Sequence, residues 1–516
     1  MSQKFTSTIA GASIFISLIG VLSRGFGFIR EMIFANNFGT GTQFDLYLVG
    51  AVLPVTINTI ILFIGQNYFV PIFQKLKATE SYESVQNKYN QAFLLFICAG
   101  IILAAILFFL NDFIIDLYMI GASATSRDIA IIVFNIFLIT VPFSAGISML
   151  SALLQTMYEF KYPAISILFL NISIIIVLIL FTDRFGIFVI PIGYLIGTLL
   201  QFFYLIYKSH NYFKIRLLNS FSKGIALQSF FGTSLFTILL IESIGQLYVI
   251  LDRYFYTSVE SGGIASLNYA YIIFILPISI FSIALATAVF PKITSTINNG
   301  SVAETEKIYK DSISINLLLF IPITFVFFQF GDTIVRLAFE RGKFIDESTT
   351  VTANALKCYS ISLVFYSVYS VLNKMFYSTN MAKSLLVITI IGIFIKLIFN
   401  FLLVGDYQQY GLAVSTTLSY LFFFLISFIL ITKKLKIRNT SLFVKEFIFQ
   451  LLNCLFCILI VKIIIESFNL FDILSQIVLL LFFVTAYLLN LFLLEHKSSG
   501  IFNLIKDKLN SIRILN

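Results

Sequence analysis

Residues 22–54 read LSRGFGFIREMIFANNFGTGTQFDLYLVGAVLP, which is two apolar runs joined by a glycine-containing turn. A second stretch, LDRYFYTSVESGGIASLNYAYIIFILP at 251–277, aligns with its later part without a gap. The offset is 223 residues, and it matches Arg30 with Arg253, Gly39 with Gly262, and Leu53-Pro54 with Leu276-Pro277. Each copy then leads through an apolar run to a further proline, Pro71 or Pro291. An arginine, a glycine and a Leu-Pro pair in one register favour an internal repeat over chance similarity of apolar segments.

The composition of the chain is that of a membrane protein. Of its 516 residues, 59% are hydrophobic and only 11% are charged, whereas soluble domains carry about 25% charged residues. The chain therefore lacks the polar surface that a water-soluble globule of this size needs. Trp is absent, so the 25 tyrosines would supply the aromatic side chains at the membrane interfaces.

Apolar runs long enough to cross a bilayer recur along the whole chain. A spanning helix needs roughly 20 apolar residues, and this criterion predicts about 14 transmembrane helices. The first is predicted to be retained rather than cleaved as a signal peptide, because its apolar run continues past Arg24. The predicted spans are 8–36, 44–73, 90–110, 128–157, 163–182, 187–207, 227–256, 267–291, 311–329, 352–378, 385–403, 410–431, 447–465 and 474–495.

The distribution of Lys and Arg predicts the orientation of these spans. With a cytoplasmic N-terminus, the inside loops and tails hold 22 basic residues and the outside loops hold 5. Cytoplasmic segments are enriched in Lys and Arg, so both termini are predicted to be cytoplasmic. The formal net charge of +9 is then explained by topology, and nucleic-acid binding is not needed to account for it.

The repeat predicts how the spans are grouped. Six spans separate the two copies, so both copies cross the membrane in the same direction. Parallel repeats of this kind form two bundles with a cavity between them, an architecture suited to alternating access. The predicted fold is all-α and polytopic, with a first lobe at 1–207 and a second at 208–431. Residues 432–516 add two helices and a cytoplasmic amphipathic tail.

Ionisable residues inside spans are candidates for function, because a charge in the hydrocarbon core is expensive. Arg24 lies about 16 residues into the first span, about 24 Å from its start. It shares a helical stripe with Gly20, Gly27 and Glu31, so it either faces a ligand or pairs structurally with Glu31. Arg30 could snorkel to the outer interface, and Asp45 could simply cap the second span.

Other chemistries have little support in the sequence. Cys454 and Cys457 form a CxxC within the apolar run LLNCLFCILIV, where two small packing residues are expected. The two histidines, His210 and His496, lie in polar segments and assemble into no catalytic or metal-binding set. No GxxxxGK[ST] stretch is present, so ATP is not expected to drive the protein directly. The sequence thus predicts neither an enzyme nor a metal or cofactor site.

The first 75 residues resemble the MurJ/MviN flippases of the multidrug/oligosaccharidyl-lipid/polysaccharide exporter superfamily. The likeness is carried by residues 22–54 and by YFVPIF at 68–73. It extends to three later blocks, which are LDRYFYTSVESGGIASLNYA (251–270), LPISIFSIALATAVFPKI (276–293) and YGLAVSTTLSY (410–420). The resemblance implies a two-lobed helical fold with a central cationic cavity. It also implies movement of an undecaprenyl-diphosphate-linked saccharide from the inner to the outer leaflet of the bacterial cytoplasmic membrane.

The same resemblance implies a substrate site. Arg24, Arg30 and Asp45 match family positions associated with function, and Ser23 and Asn58 complete the candidate set. Arginines suit this role because their planar fork pairs with a diphosphate and stays charged. Two cations of the family pattern are missing, since Asn58 and the pair Tyr271-Ile272 occupy their positions. These departures favour an exopolysaccharide or O-antigen unit as substrate, with lipid II, the peptidoglycan precursor, as a close second.

A second candidate site lies in the later spans. Asp252, Asn400 and Thr416 resemble a cation site that some relatives have in the second lobe, and Lys396 occupies what resembles another ligand position. We expect the Lys396 ammonium to pair with Asp252 in place of bound sodium, so that the membrane potential could drive transport without it. In the alternative interpretation, Lys396 only bonds nearby carbonyls and fixes helix packing.

Two other functional classes compete with the flippase. A drug:cation antiporter of the same superfamily would share the two-bundle plan, but its first span would be expected to carry an acidic residue rather than Arg24 and Arg30. A membrane glycan polymerase or ligase needs a large outside loop, and only 331–351 is available. The expected partners are therefore the lipid-linked saccharide and membrane lipid, with the protein acting as a monomer.

The predicted topology can be tested with two introduced cysteines. Lys434→Cys and Ser261→Cys should react with a membrane-impermeant thiol reagent from opposite sides, because the two positions lie in loops of opposite orientation. The unmodified protein, whose four cysteines all lie in apolar stretches, is the control. Labelling of both positions from the same side would overturn the orientation and the repeat together.

Overall fold

The fold is entirely helical over the part of the chain that the computed structural model describes. These residues are 9–210, 212, 233–438, 440–468 and 472–493. The predicted amphipathic tail, from residue 494 onward, lies outside them, as does most of the predicted 208–226 loop. In chain order the helices are α1 Ile9–Phe38, α2 Thr42–Ile64, α3 Val70–Thr79, α4 Tyr82–Phe109, α5 Asn111–Tyr118, α6 Ala124–Thr156, α7 Lys161–Phe185, α8 Val189–Ser209, α9 Thr233–Tyr254, α10 Gly263–Pro277, α11 Ile283–Asn298, α12 Val302–Phe339, α13 Asp346–Ser360, α14 Ser362–Ser378, α15 Ala382–Leu435, α16 Ser441–Phe468 and α17 Ile473–Leu493.

A helix lies at each of the fourteen predicted spans wherever the chain is described. Among the described residues, nine stretches are long and apolar enough to cross a membrane, and a tenth is added if the bent pair α13 and α14 forms one span. Some of these stretches contain two predicted spans, because α7 and α8 are joined by one short 3-10 turn and α15 is interrupted only at Gln408. The outside loop predicted at 331–351 is short, since α12 ends at Phe339 and α13 begins at Asp346.

The described chain divides into two compact units. The first comprises Met1–Ala265 with Arg341–Phe344, and the second comprises Ser266–Glu340 with Ile345–Asn516. The lobe limits predicted from the sequence, 1–207, 208–431 and 432–516, were drawn by counting spans and stay a prediction.

Aromatic side chains fill much of the core of the first unit. Phe73 from α3 packs on Tyr89 from α4, with ring centroids 5.3 Å apart. Phe69 stacks on Phe73 at 5.8 Å, and Tyr89 is fully buried. Ser81 and Ser123 begin α4 and α6 by accepting backbone hydrogen bonds from Ser84 and Ser126.

Close helix contacts organise the second unit. Tyr366 on α14 stacks on Tyr420 on α15 at 4.2 Å, and Tyr369 stacks on Phe423 at 5.1 Å. Gly392 gives α15 room to fold back on itself, because a Cβ there would lie 2.1 Å from the Phe423 ring. The interruption at Gln408 has φ 48° and ψ −129° and separates the two predicted spans within α15.

The two copies of the sequence repeat share local structure. The matched glycines Gly39 and Gly262 both adopt positive φ, at 57° and 83°. A five-residue π-helical segment also lies between the two prolines of each copy, at Gly65–Phe69 in the first and Ile278–Ser282 in the second. The two π-helical segments do not coincide at the offset of 223, so it is the positive φ of the matched glycines that supports a true repeat.

Three glycine turns interlock within the first unit. A Cβ on Gly39 would lie 2.3 Å from the carbonyl oxygen of Lys343, and one on Gly262 would lie 2.0 Å from that of Thr40. Gly342, with φ 56°, is similarly placed against the carbonyl oxygen of Asn36. The Lys343 N–H donates to that same Asn36 oxygen at 2.8 Å. We call this contact of segments 36–42, 260–263 and 341–344 the glycine junction.

Gly262→Ala should destabilise the protein more than Gly300→Ala does. Both glycines have positive φ, so either alanine costs about 1–2 kcal/mol in backbone conformation. Only Gly262 is also packed against backbone, which adds about 1–3 kcal/mol of overpacking, whereas the space around Gly300 is open. Thermal unfolding of the purified variants in detergent measures the difference, and equal losses would contradict the close packing of the junction.

Candidate functional site

Arg30 lies at the centre of a buried polar cluster in the first unit. Its Nη1 donates to Asn171 Oδ1 at 3.1 Å, and its Nη2 lies 2.6 Å from Glu31 Oε1. The guanidinium carbon lies 5.5 Å from the ring centroids of both Phe34 and Tyr194. The side chains of Arg30 and Glu31 are only 17% and 10% exposed. Arg30 is thus a largely buried, charge-balanced part of the protein.

Asn171 joins this cluster to Ser23. The Asn171 Nδ2 group donates to the Ser23 carbonyl oxygen at 3.3 Å and lies 3.5 Å from its hydroxyl. Two of the predicted site residues, Ser23 and Arg30, are therefore brought together by an asparagine from α7. Sequence analysis missed Asn171, although a lone asparagine within ILFLNISIII is the kind of polar interruption that marks a buried partner.

Arg24 is placed quite differently from Arg30. Its side chain is exposed, and none of the described side chains forms a hydrogen bond or an ion pair with it. The alternative that Arg24 pairs with Glu31 is wrong, because Glu31 is bonded to Arg30. Space is also open beside the stripe glycines Gly20 and Gly27, where an added Cβ would meet no atom within 4 Å.

Arg24 and Glu31 lie on one side of α1. At about 100° per residue, Arg24 lies about 20° around the helix from Glu31 and about 140° from Ile29. Ile29 is an exposed apolar side chain on the far side, whereas Val21, also exposed, lies about 60° from Arg24. An exposed guanidinium without a charged partner among the described side chains is suited to binding an anion.

Asp45 is fully buried and holds the start of α10. Its two carboxylate oxygens accept from the backbone N–H groups of Gly262 and Ala265, both at 2.6 Å. Thr42 and Ser261 are joined beside it through their hydroxyls at 2.5 Å. Asp45 was expected to cap its own helix if it was structural, but it caps α10 instead. Carboxylates at a helix N-terminus satisfy otherwise unpaired N–H groups and favour the helix dipole.

The remaining predicted residues are also located. Asn58 donates from Nδ2 to Thr140 Oγ1 at 2.7 Å, and its Oδ1 has no hydrogen-bond partner in the described chain. Lys396, Asn400 and Thr416 are all buried on α15 of the second unit, while Asp252 belongs to the first unit. The pairing of Lys396 with Asp252 stays a prediction. Within the described residues, no group of three or more His, Cys, Asp and Glu side chains is arranged to hold a metal ion.

Comparison with known proteins identifies the family. The family model described as lipid II flippase MurJ matches residues 34–483. The chain belongs to the MurJ family. It is 28% identical over 457 residues to the probable lipid II flippase MurJ of Buchnera aphidicola subsp. Schizaphis graminum, covering 85% of this chain and 86% of that protein.

Solved structures show the same fold. The inward closed conformation of lipid II flippase MurJ superposes with a TM-score of 0.77 at 22% identity, covering 95% of this chain and 100% of that one. An inward-facing multidrug resistance MATE transporter of the MOP superfamily gives a TM-score of 0.64 at 15% identity, covering 80% and 96%. The predicted superfamily resemblance and the all-helical MurJ-like fold are confirmed.

Replacing Arg30 should destabilise the protein, because it breaks the ion pair with Glu31. Arg30→Gln leaves the buried Glu31 without its cation, and breaking such a pair costs about 3–5 kcal/mol of stability. Adding Glu31→Gln should restore part of the loss, because no buried charge is then left uncompensated. Unfolding of the two single variants and the double variant in detergent gives the coupling energy. A double variant no more stable than Arg30→Gln would show that Arg30 does not act by balancing Glu31.

Proposed function

We propose that this chain moves lipid II from the inner to the outer leaflet of the cytoplasmic membrane by alternating access. The observation that carries the proposal is the match of the lipid II flippase MurJ family model to residues 34–483. Of the substrates that the sequence left open, family membership supports lipid II over an exopolysaccharide or O-antigen unit. The departures at Asn58 and Tyr271-Ile272 concern individual cations, whereas the family match extends over most of the chain.

The two arginines of α1 divide the work of such a site. Arg30 has Glu31, Asn171 and two aromatic rings around it, so its charge is already balanced. Arg24 lies on the same helix without such partners among the described side chains. A lipid-linked diphosphate is a dianionic group with acceptor oxygens arranged for a guanidinium fork. We therefore assign diphosphate binding to Arg24 and the support of α1 to Arg30.

The drug:cation antiporter remains the alternative function, and it has only the fold in its support. The MATE transporter is 15% identical, and many functions share one fold. A site built around Arg24 favours an anionic substrate over the cationic amphiphile that such an antiporter would export.

The location, orientation, oligomeric state and energy source of the protein are part of the same proposal. The protein would lie in the bacterial cytoplasmic membrane with both termini in the cytoplasm, in accordance with its Lys and Arg distribution. It would work as a monomer without a bound cofactor. The membrane potential or an ion gradient would then supply the energy, since a fixed cation responds to potential.

Arg24→Lys tests the assigned role. Lysine keeps the positive charge but loses the two parallel hydrogen bonds of the guanidinium, so lipid II flipping should fall roughly tenfold, as expected for a loss of about 1.4 kcal/mol. Flipping is measured in vesicles that contain the purified protein, with lipid II compared against a lipid-linked exopolysaccharide unit.

The control is Arg184→Lys, at an exposed arginine near the end of α7, which should flip lipid II at the unmodified rate. Full activity of Arg24→Ala would remove Arg24 from the mechanism. Transport of the exopolysaccharide unit but not of lipid II would overturn the proposed substrate.

A further inference from the structure

A line of buried polar side chains runs along one face of α16, in the second unit. Glu446, Gln450, Asn453 and Cys457 are spaced four, three and four residues apart, which places them on one side of a helix. All four are buried, with exposures of 4%, 0%, 7% and 1%. We call them the polar seam. They lie on α16, the first of the two helices that follow the two six-span repeats, and the proposed flipping site does not use them.

Neighbouring helices supply hydrogen-bond partners to the seam. From α12, the Ser314 hydroxyl donates to Glu446 Oε2. From α17, the Tyr487 hydroxyl lies 2.6 Å from Gln450 Oε1, and Asn490 Nδ2 donates to Asn453 Oδ1 at 3.1 Å. The seam is therefore a built feature of three packed helices.

Several seam atoms nevertheless have no partner. Glu446 Oε1, Gln450 Nε2 and Asn453 Nδ2 are buried without a hydrogen bond in the described chain. No lysine, arginine or histidine of that part of the chain forms an ion pair with Glu446. An ionised carboxylate buried without a cation is far more expensive than the neutral acid, because the charge has lost its hydration.

The chemistry of the unpaired atoms indicates whether a proton or a metal ion neutralises the Glu446 carboxylate. A sodium or calcium site needs several oxygen ligands converging on one point. Among the unpaired atoms of the seam, Glu446 Oε1 is an oxygen and the other two are amide nitrogens, which do not coordinate a cation, and the Ser314 hydroxyl already donates to Oε2. A proton on Oε1 neutralises the carboxyl group without a set of oxygen ligands that converge on one point.

The charged surroundings of Glu446 indicate how a proton reaches it. Asp311 on α12 is the acidic group that interacts electrostatically with Glu446, and Lys292 and Lys307 interact with Asp311 in turn. The adjacent Lys445 is exposed, α17 contributes the Tyr487 hydroxyl, and α15 contributes an apolar contact of Phe428 with Phe443. Glu446 lies about 7 Å along α16 from its first residue, and the predicted topology places that end in the cytoplasm.

We propose that Glu446 is a proton-binding site that exchanges with the cytoplasm past Asp311 and makes transport respond to cytoplasmic pH. The proton binds at Oε1 while Ser314 holds Oε2, and it returns to water when the carboxyl group ionises. The pH response of transport rests on the proposed flippase function, whereas the proton site itself does not.

Infrared spectroscopy of the full-length protein in vesicles tests the proton site without any transport. A protonated carboxyl group has a carbonyl stretching band that a carboxylate lacks. Glu446→Gln should remove one such band at neutral pH, and Glu466→Gln, at an exposed position on the same helix, should remove none. Ser314→Ala should shift the band to higher frequency, because it removes a hydrogen bond to the carbonyl oxygen. An unchanged spectrum in Glu446→Gln would overturn the proposal.

Lipid II flipping measured against the pH on the cytoplasmic face tests the consequence. The unmodified protein and Glu466→Gln should share one pH dependence, and Glu446→Gln should lose it, since its amide mimics the protonated acid permanently. A pH profile of Glu446→Gln that matches the unmodified protein would refute the coupling. If the unmodified protein flips no lipid II at any pH, the proposed function fails while the infrared result still decides the proton site.

Discussion

The free-energy penalty of an uncompensated charge in a low-dielectric interior governs the arrangement of this molecule. An adjacent carboxylate, an amide and two aromatic faces compensate the charge of Arg30. Two backbone N–H groups at the start of a helix compensate that of Asp45. Arg24 has no comparable compensation among the described side chains, and its side chain is exposed. Arg24 is therefore the residue best suited to bind an anionic ligand.

Much of the fold could be predicted from the sequence, because bilayer thickness converts apolar runs into helices of known length. The predicted spans coincide with helices wherever the chain is described. The repeat was also visible, since Gly39 and Gly262 stand at matched positions and both adopt positive φ. Glycine is favoured at such positions because it has no Cβ and adopts positive φ without a steric penalty, so the turn can be recognised in the sequence.

The contacts between helices were harder to predict, because they depend on which faces meet. Glu31 was considered as a partner for Arg24 two helical turns away, yet it bonds its immediate neighbour Arg30. Asp45 was considered as a cap for its own helix, but the N–H groups that it accepts from are more than two hundred residues later. Neither partner is the one that spacing within a helix predicts, since Glu31 bonds the preceding residue of α1 and Asp45 bonds N–H groups at the start of α10.

The π-helical segments have a consequence for the faces that one span presents. A wide turn adds one residue to the helix, which rotates everything beyond it by about 100° relative to an uninterrupted α-helix. In the first copy the extra residue comes where Gly65 packs on Ser148, and in the second where Ser282 bonds the Ser367 carbonyl. The stretch from α2 to α3 therefore directs one row of side chains to its neighbours before Gly65 and a different row after Phe69. A single stripe drawn along that span would assign the residues beyond Phe69 to the wrong surroundings.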